Sequence, residues 1–135
     1  MNQKNYPDYR STSYHLNVRG RKVLPNGGSR SSIQSSPYTI FLKSGHGKNI
    51  VDVDGRKLID FNNNFTSLIH GHCHPAIVSA ATEQISMATA FSFGSEIEIK
   101  LAELLCQRVD GFEQIRFMNS GTEATMTAIR LARGY

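Results

Sequence analysis

The sequence predicts an α/β protein: a small antiparallel sheet fed by an irregular arm, then the opening of a larger α/β layer. Three observations carry this. Two β-prone runs flank an Asp-Gly turn in the first half. Apolar residues recur at helical spacing in two segments of the second half. A short β-prone run then leads through a tight polar turn into a third helix, the order in which an α/β layer begins. The chain divides accordingly into an arm (1–23), a segment holding the small sheet (24–75) and the beginning of a large α/β domain (76–135).

Residues 1–23 are polar and without clear periodicity and read as an arm or a weak helix. Leu24-Pro25-Asn26-Gly27-Gly28-Ser29-Arg30-Ser31-Ser32 is dense in turn formers and reads as loop. Tyr38–Leu42 is the first expected strand, Gly45-His46-Gly47 a turn, and Asn49–Val53 the second strand. Asp54-Gly55 closes a hairpin onto Lys57–Phe61. Pro75 suits the first position of a helix, because a first-turn N–H has no helical partner to lose. Ile77, Val78, Ala81, Ile85 and Ala88 follow near helical spacing. A second helix runs from about Glu96 to Val109 with Ile97, Leu101, Leu104, Leu105 and Val109 on one side, and Ser95 with Glu98 forms a capping-box pattern at its start. Gln114–Met118 is an expected strand. Ala124, Ala128, Leu131 and Ala132 mark the third helix. One parallel strand and three helices do not close a doubly wound core, so the chain is either a small α+β protein or part of a longer one.

Composition bounds the function classes. With 39% hydrophobic and 19% charged residues the chain is ordinary for a globular protein. No apolar run approaches the ~20 residues that span a bilayer, and no secretory signal pattern is present. Cys73 and Cys106 are too few for a disulfide scaffold and read as buried or half-buried free thiols, which fits a cytoplasmic protein. The net charge of +4 is uneven: residues 1–50 hold eight Lys/Arg and one acid. Those charges are scattered, which reads as a solvated surface or an arm packed on another subunit. A non-enzymatic binding module with a basic arm is the alternative reading, with Tyr6, Tyr9 and Tyr14 as stacking residues. No compact basic helix accompanies them, so neither a nucleic-acid nor a membrane partner is expected.

The chemistry-bearing segment is Met118-Asn119-Ser120-Gly121-Thr122-Glu123-Ala124, at the junction of the last strand and helix. The first N–H groups of a helix lack internal partners and sit at the positive end of its dipole, where a phosphate is stabilised. Gly121 permits close approach, and Thr122 and Ser120 add hydroxyls. The same residues also fit a capping box, with Ser120 as N-cap and Glu123 three residues on. Both readings stand on the turn alone.

The resemblance of a longer stretch goes further. Arg116 through Ala124, continued by Ala128-Ile129-Arg130-Leu131-Ala132-Arg133, resembles the cofactor-phosphate turn of class III aminotransferases, most of all the glutamate-1-semialdehyde 2,1-aminomutases and their relatives. Val51–Gly55 with Leu58–Phe61 resembles the family's N-terminal hairpin, and Gly71-His72-Cys73-His74-Pro75 its G-H-x-H-P turn. Ser92-Phe93-Gly94, and Leu24-Pro25 with Gly27-Gly28, also fit in order. The resemblance implies the N-terminal part of a fold-type I pyridoxal 5'-phosphate (PLP) enzyme. Its reaction would be amino transfer, or the intramolecular aminomutase version, on an amino acid or amino aldehyde, in a homodimer.

By the same resemblance Ser120, Gly121 and Thr122 contact the cofactor phosphate. Phe65 lies near the substrate, and Arg30 takes a substrate carboxylate, a pairing suited to a guanidinium. The aminomutase pattern has its arginine about three residues later, where this chain has Ile33; an arginine at Arg30 suits relatives that act on β-amino acids. The family's cofactor-bearing lysine and its acidic partner of the pyridine nitrogen lie far beyond the phosphate turn. None of the lysines here matches that lysine's context, so no catalytic residue is assigned and the 135 residues alone are expected to be inactive.

Two other constellations read as structural. His70, His72 and His74 alternate around Cys73, which on a strand would gather three imidazoles for a metal. Gly71 and Pro75 interrupt such a strand, so a turn with His72 and His74 bonded to backbone groups is expected, and no metal. Asp52, Asp54 and Asp60 are read around the Asp-Gly turn rather than as a cation site.

Overall fold

The computed structural model describes residues 6–135; residues 1–5 of the expected arm lie outside the described part. The chain forms two compact units, one through Met87 and one from Ala88 to Tyr135.

In the first unit the arm takes the helical one of its two expected forms, without the apolar periodicity that would have announced it. Helix α1 spans Thr12–Gly20, with Ser11 as N-cap accepting from the Tyr14 N–H. Its buried side chains are Ser13 and Asn17, both polar, so α1 packs through a small hydrogen-bonding face rather than an apolar stripe. Tyr38 is the hub beneath it, 1% exposed. Its hydroxyl accepts from the Asp8 N–H at 2.7 Å and from Ser11 Oγ at 3.2 Å, and donates to the Asp8 carbonyl at 3.0 Å. Tyr6, Tyr9 and Tyr14 crowd the Tyr38 ring, with centroids 4.9, 6.0 and 5.6 Å away. The arm's aromatics therefore pack on the arm's own anchor instead of forming a free stacking platform.

Three short strands follow: β1 (Leu42–His46), β2 (Asn49–Asp52) and β3 (Lys57–Ile59), antiparallel in the order β1-β2-β3. The expected first strand, Tyr38–Leu42, is displaced toward the C-terminus. Tyr38 is taken up by the hub, and pairing begins only at Leu42, opposite Asp52. The chain turns at Gly47, whose φ of 54° suits glycine.

The β2–β3 turn is built on Asp52, fully buried, whose Oδ1 accepts from the Asp54 and Arg56 N–H groups while Oδ2 pairs with the Arg56 guanidinium. A buried carboxylate is tolerated only when paired and hydrogen-bonded, and here it is both. Asp54, at the tip, reaches back across the unit. Its carboxylate accepts from the Thr12 and Ser13 N–H groups at 2.7 and 3.1 Å, a second cap on α1 supplied from the hairpin. Helix α2 (Pro75–Met87) closes the unit and starts at Pro75 as expected.

The second unit holds α3 (Glu96–Arg108) and α4 (Gly121–Gly134). Ser95 has N-cap backbone geometry, but its side chain makes no capping bond; the Glu98 N–H goes to the Ser95 carbonyl instead. The expected strand Gln114–Met118 is not one: it is outside regular structure and pairs with no other segment among the described residues. A strand exists through its ladder, and nothing in residues 88–135 offers an edge. No residue of this unit is buried, and Phe93 is 89% exposed. Cys106 is half-buried as expected, whereas Cys73 is exposed.

Candidate functional site

Two groups of residues singled out from the sequence are described, one in each unit. In the first unit Arg30 and Phe65 come together: the guanidinium carbon lies 5.5 Å from the Phe65 ring centroid, a cation–π contact. Arg30 stands on the loop after α1, just before the 3₁₀ turn Ser31–Ile33. That loop is fixed to α1 by close backbone approach. Gly27 is buried with φ 83°, and a Cβ on Gly20 would meet the Gly27 carbonyl oxygen at 2.9 Å. The path from the Asp54 cap through α1 to Gly27 thus sets the base from which Arg30 extends.

Phe65 is held by an unusual backbone. Asn63, Asn64, Phe65 and Thr66 have φ of 51, 49, 57 and 67°, four consecutive non-glycine residues in the left-handed region. That conformation costs roughly 1–2 kcal/mol per residue, less for asparagine and more for a bulky or β-branched residue. Hydrogen bonds hold it: the Phe65 N–H donates to Asn62 Oδ1 at 2.9 Å, Thr66 N–H to the Asn62 carbonyl at 3.2 Å, and Leu68 N–H to the Asn63 carbonyl at 3.2 Å.

Asp60 begins this turn. Its Oδ1 accepts from the Asn62 and Asn63 N–H groups at 3.0 and 2.9 Å, and its Oδ2 meets His72 Nε2 at 2.7 Å. The backbone N–H of Asn63, then the side chain of His72, holds the Asp60 carboxyl below the usual carboxylate range.

His72 therefore bonds a carboxylate rather than the backbone groups expected of it, while the His74 ring lies 5.4 Å from that of His70. Cys73 and Gly71 adopt φ of 52 and 74°, so the histidines do not alternate along a strand. Neither Asp60 nor His72 was singled out for this pairing. The signals in the sequence were an aspartate directly after a strand, three asparagines behind it, and the G-H-x-H-P turn.

In the second unit Ser120, Gly121 and Thr122 begin α4. Ser120 is the N-cap, its Oγ accepting from the Glu123 N–H at 3.2 Å. Glu123 reaches back to the Asn119 N–H at 3.0 Å, one residue before the cap position that a capping box uses. The Gly121 and Thr122 N–H groups find no partner among the described residues. A Cβ built on Gly121 would meet nothing within 4 Å, so the mouth of the helix is open. No helix among the described residues is long and apolar enough to cross a membrane.

Comparison with known proteins decides the family. Residues 31–135 match the family described as aminotransferase class-III. The chain belongs to the class III aminotransferase family.

It is 47% identical over 105 residues to a glutamate-1-semialdehyde 2,1-aminomutase of Natranaerobius thermophilus, covering 78% of this chain and 24% of that protein. Among solved structures it resembles an omega-transaminase from Sphaerobacter thermophilus, at TM-score 0.92 and 47% identity, over 96% of this chain and 30% of the other. A transaminase with PLP bound aligns at TM-score 0.86 and 45% identity, over 90% and 28%. The chain thus spans 24–30% of the length of these relatives, and its fold is the N-terminal part of a fold-type I PLP-dependent transferase.

Proposed function

We propose that this chain supplies the N-terminal part of a PLP-dependent aminotransferase acting on a carboxylate-bearing amino substrate. The observation that carries the reading is the Arg30–Phe65 contact. A guanidinium held against an aromatic ring on a braced loop is a ready receptor for a planar carboxylate. Arg30 binds the carboxylate through paired N–H donors. Phe65 limits where the guanidinium rests and offers the substrate an apolar wall. The place of Arg30, three residues before Ile33, favours amino transfer on a β-amino acid over the aminomutase reaction.

The start of α4 fits the phosphate of PLP. The two unpartnered N–H groups and the open face of Gly121 provide donors and room, and the Thr122 and Ser120 hydroxyls add further donors. When bound, PLP supplies the electron sink for the carbon that carries the amine. Gly121, Thr122 and Ser120 fix its phosphate end; this chain assigns no residue to the proton transfer itself. The reading includes a homodimer and no nucleic-acid partner.

The test is Arg30→Ala in the full-length protein. KM for a carboxylate donor should rise roughly a hundredfold, the worth of a charge-assisted pair, with PLP affinity unchanged. Loss of PLP binding, or an unchanged KM, would remove Arg30 from the role.

A further inference from the structure

His72 is fixed more firmly than a turn residue requires. Its backbone exchanges both hydrogen bonds with Gly47, at 2.8 and 2.9 Å. Its ring lies so close over Gly45 that a Cβ there would meet His72 Cγ at 2.6 Å. The imidazole is thereby set against the sheet, with Nε2 directed at Asp60. Asp60 is itself anchored by its N–H to the Lys48 carbonyl at 2.9 Å. From this pair a continuous chain of contacts leads outward. Asp60 Oδ1 receives the Asn62 and Asn63 N–H groups, Asn62 Oδ1 receives the Phe65 N–H, and the Phe65 ring faces the Arg30 guanidinium.

The strain along this path is concentrated where the substrate-facing ring sits. A left-handed run of four non-glycine residues persists only if its surroundings over-determine it. The Asp60 carboxylate bonds the N–H of Asn63, the first residue of the run, and that of Asn62 just before it, and His72 holds that carboxylate in orientation.

We propose that His72 and Asp60 are positioning residues for the substrate carboxylate: the pair holds the left-handed turn that sets Phe65 against Arg30. The inference rests on the assignment of Arg30 above and extends it to residues that touch neither substrate nor cofactor. A shift of the ring by a fraction of an ångström moves the resting place of the guanidinium, which weakens carboxylate binding and leaves the amine chemistry intact.

The test uses the full-length holoenzyme with two donors, β-aminobutyrate and isopropylamine, which differ by the carboxylate. His72→Phe keeps a ring over Gly45 and removes the bond to Asp60. It should raise KM for β-aminobutyrate about tenfold, change kcat by less than about twofold, and spare KM for isopropylamine. His72→Gln, whose amide N–H reaches the same carboxylate, should recover most of the loss. Calorimetric binding of butyrate, which carries the carboxylate alone, should weaken in parallel. In the double variant with Arg30→Ala, KM for β-aminobutyrate should be no higher than in Arg30→Ala alone.

Equal losses on both donors, additive effects in the double variant, or no KM change in His72→Phe would each overturn the inference. If Arg30→Ala itself leaves KM for β-aminobutyrate unchanged, the carboxylate assignment falls and this inference with it. If Arg30→Ala raises KM and His72→Phe does not, only the positioning role falls.

Discussion

Removing the Asp54 carboxylate is expected to loosen the helix from which the Arg30 loop departs. Asp54 caps α1 from 41 and 42 residues away through the Ser13 and Thr12 N–H groups. Burial pushes its carboxyl up, but the hydrogen bonds from Ser13 and Thr12 outweigh that effect and hold it at about 2 instead of 3.8. At roughly 1.36 kcal/mol per unit, that difference corresponds to about 2 kcal/mol. The group is partly exposed, so solvent screening lowers the usable figure to about 1 kcal/mol. An N-cap replaced by alanine costs about 1 kcal/mol, the same order.

The sign follows from a depressed folded pKa. The contribution is complete above the unfolded value near 3.8 and is lost as pH falls through about 2. Hydrogen–deuterium exchange on the intact protein, corrected for intrinsic rates, reads this directly. Near neutral pH, Asp54→Ala should lower protection of the Thr12–Gly20 amides about fivefold, the factor for ~1 kcal/mol. The parent should lose the same protection between pH ~4 and ~2, where the variant should be flat. Undiminished protection in Asp54→Ala would refute the capping argument. So would a parent transition near pH 6.5, which belongs to a histidine.

Three further variants separate structural from functional roles. Tyr38→Phe keeps the ring packing but leaves the Ser11 O–H without its acceptor and the Asp8 N–H without its own. It should cost about 1–3 kcal/mol, seen as a lower denaturation midpoint and faster proteolysis between Asp8 and Leu24. At α4, Ser120→Ala should destabilise the helix by about 1 kcal/mol. Gly121→Pro removes one of the two N–H groups proposed for the phosphate, at a first helical position that accepts proline, so PLP affinity measured by absorbance titration should fall while helix content holds. The opposite pattern would make the segment a cap alone.

Much of the fold was legible because local rules governed it. Asp54-Gly55 made the hairpin, Pro75 opened α2, and Ser120 capped α4. What failed to show depended on partners distant in sequence. Helix α1 buries Ser13 and Asn17, so no apolar period betrayed it. Its second cap comes from Asp54, a residue readable only as a turn former. Gln114–Met118 has the composition of a strand, but composition does not supply the neighbouring edge. The pair Arg30 and Phe65 was named only through family resemblance; nothing in their 35-residue separation predicts that they meet. The left-handed turn did leave a trace. Asn62-Asn63-Asn64 is rich in the residue type that tolerates positive φ, and it precedes the two residues, Phe65 and Thr66, that tolerate it least.

The start of α4 shows why a capping motif and an anion site need not compete. A helix leaves its first N–H groups unpartnered, and the cap in this chain uses only some of what is available. Ser120 Oγ takes the Glu123 N–H, the third helical position, and the Glu123 carboxylate takes the Asn119 N–H, before the helix begins. A capping box would have directed that carboxylate at the Ser120 N–H; the one-residue offset draws it back along the incoming chain. The first and second helical N–H groups, on Gly121 and Thr122, are bypassed by both interactions. They lie at the positive end of the α4 dipole, beside a glycine whose missing Cβ leaves the approach clear. The cap thus orders the backbone that presents these two donors without consuming them. Strengthening the cap should therefore tighten, not block, the binding of a phosphate there.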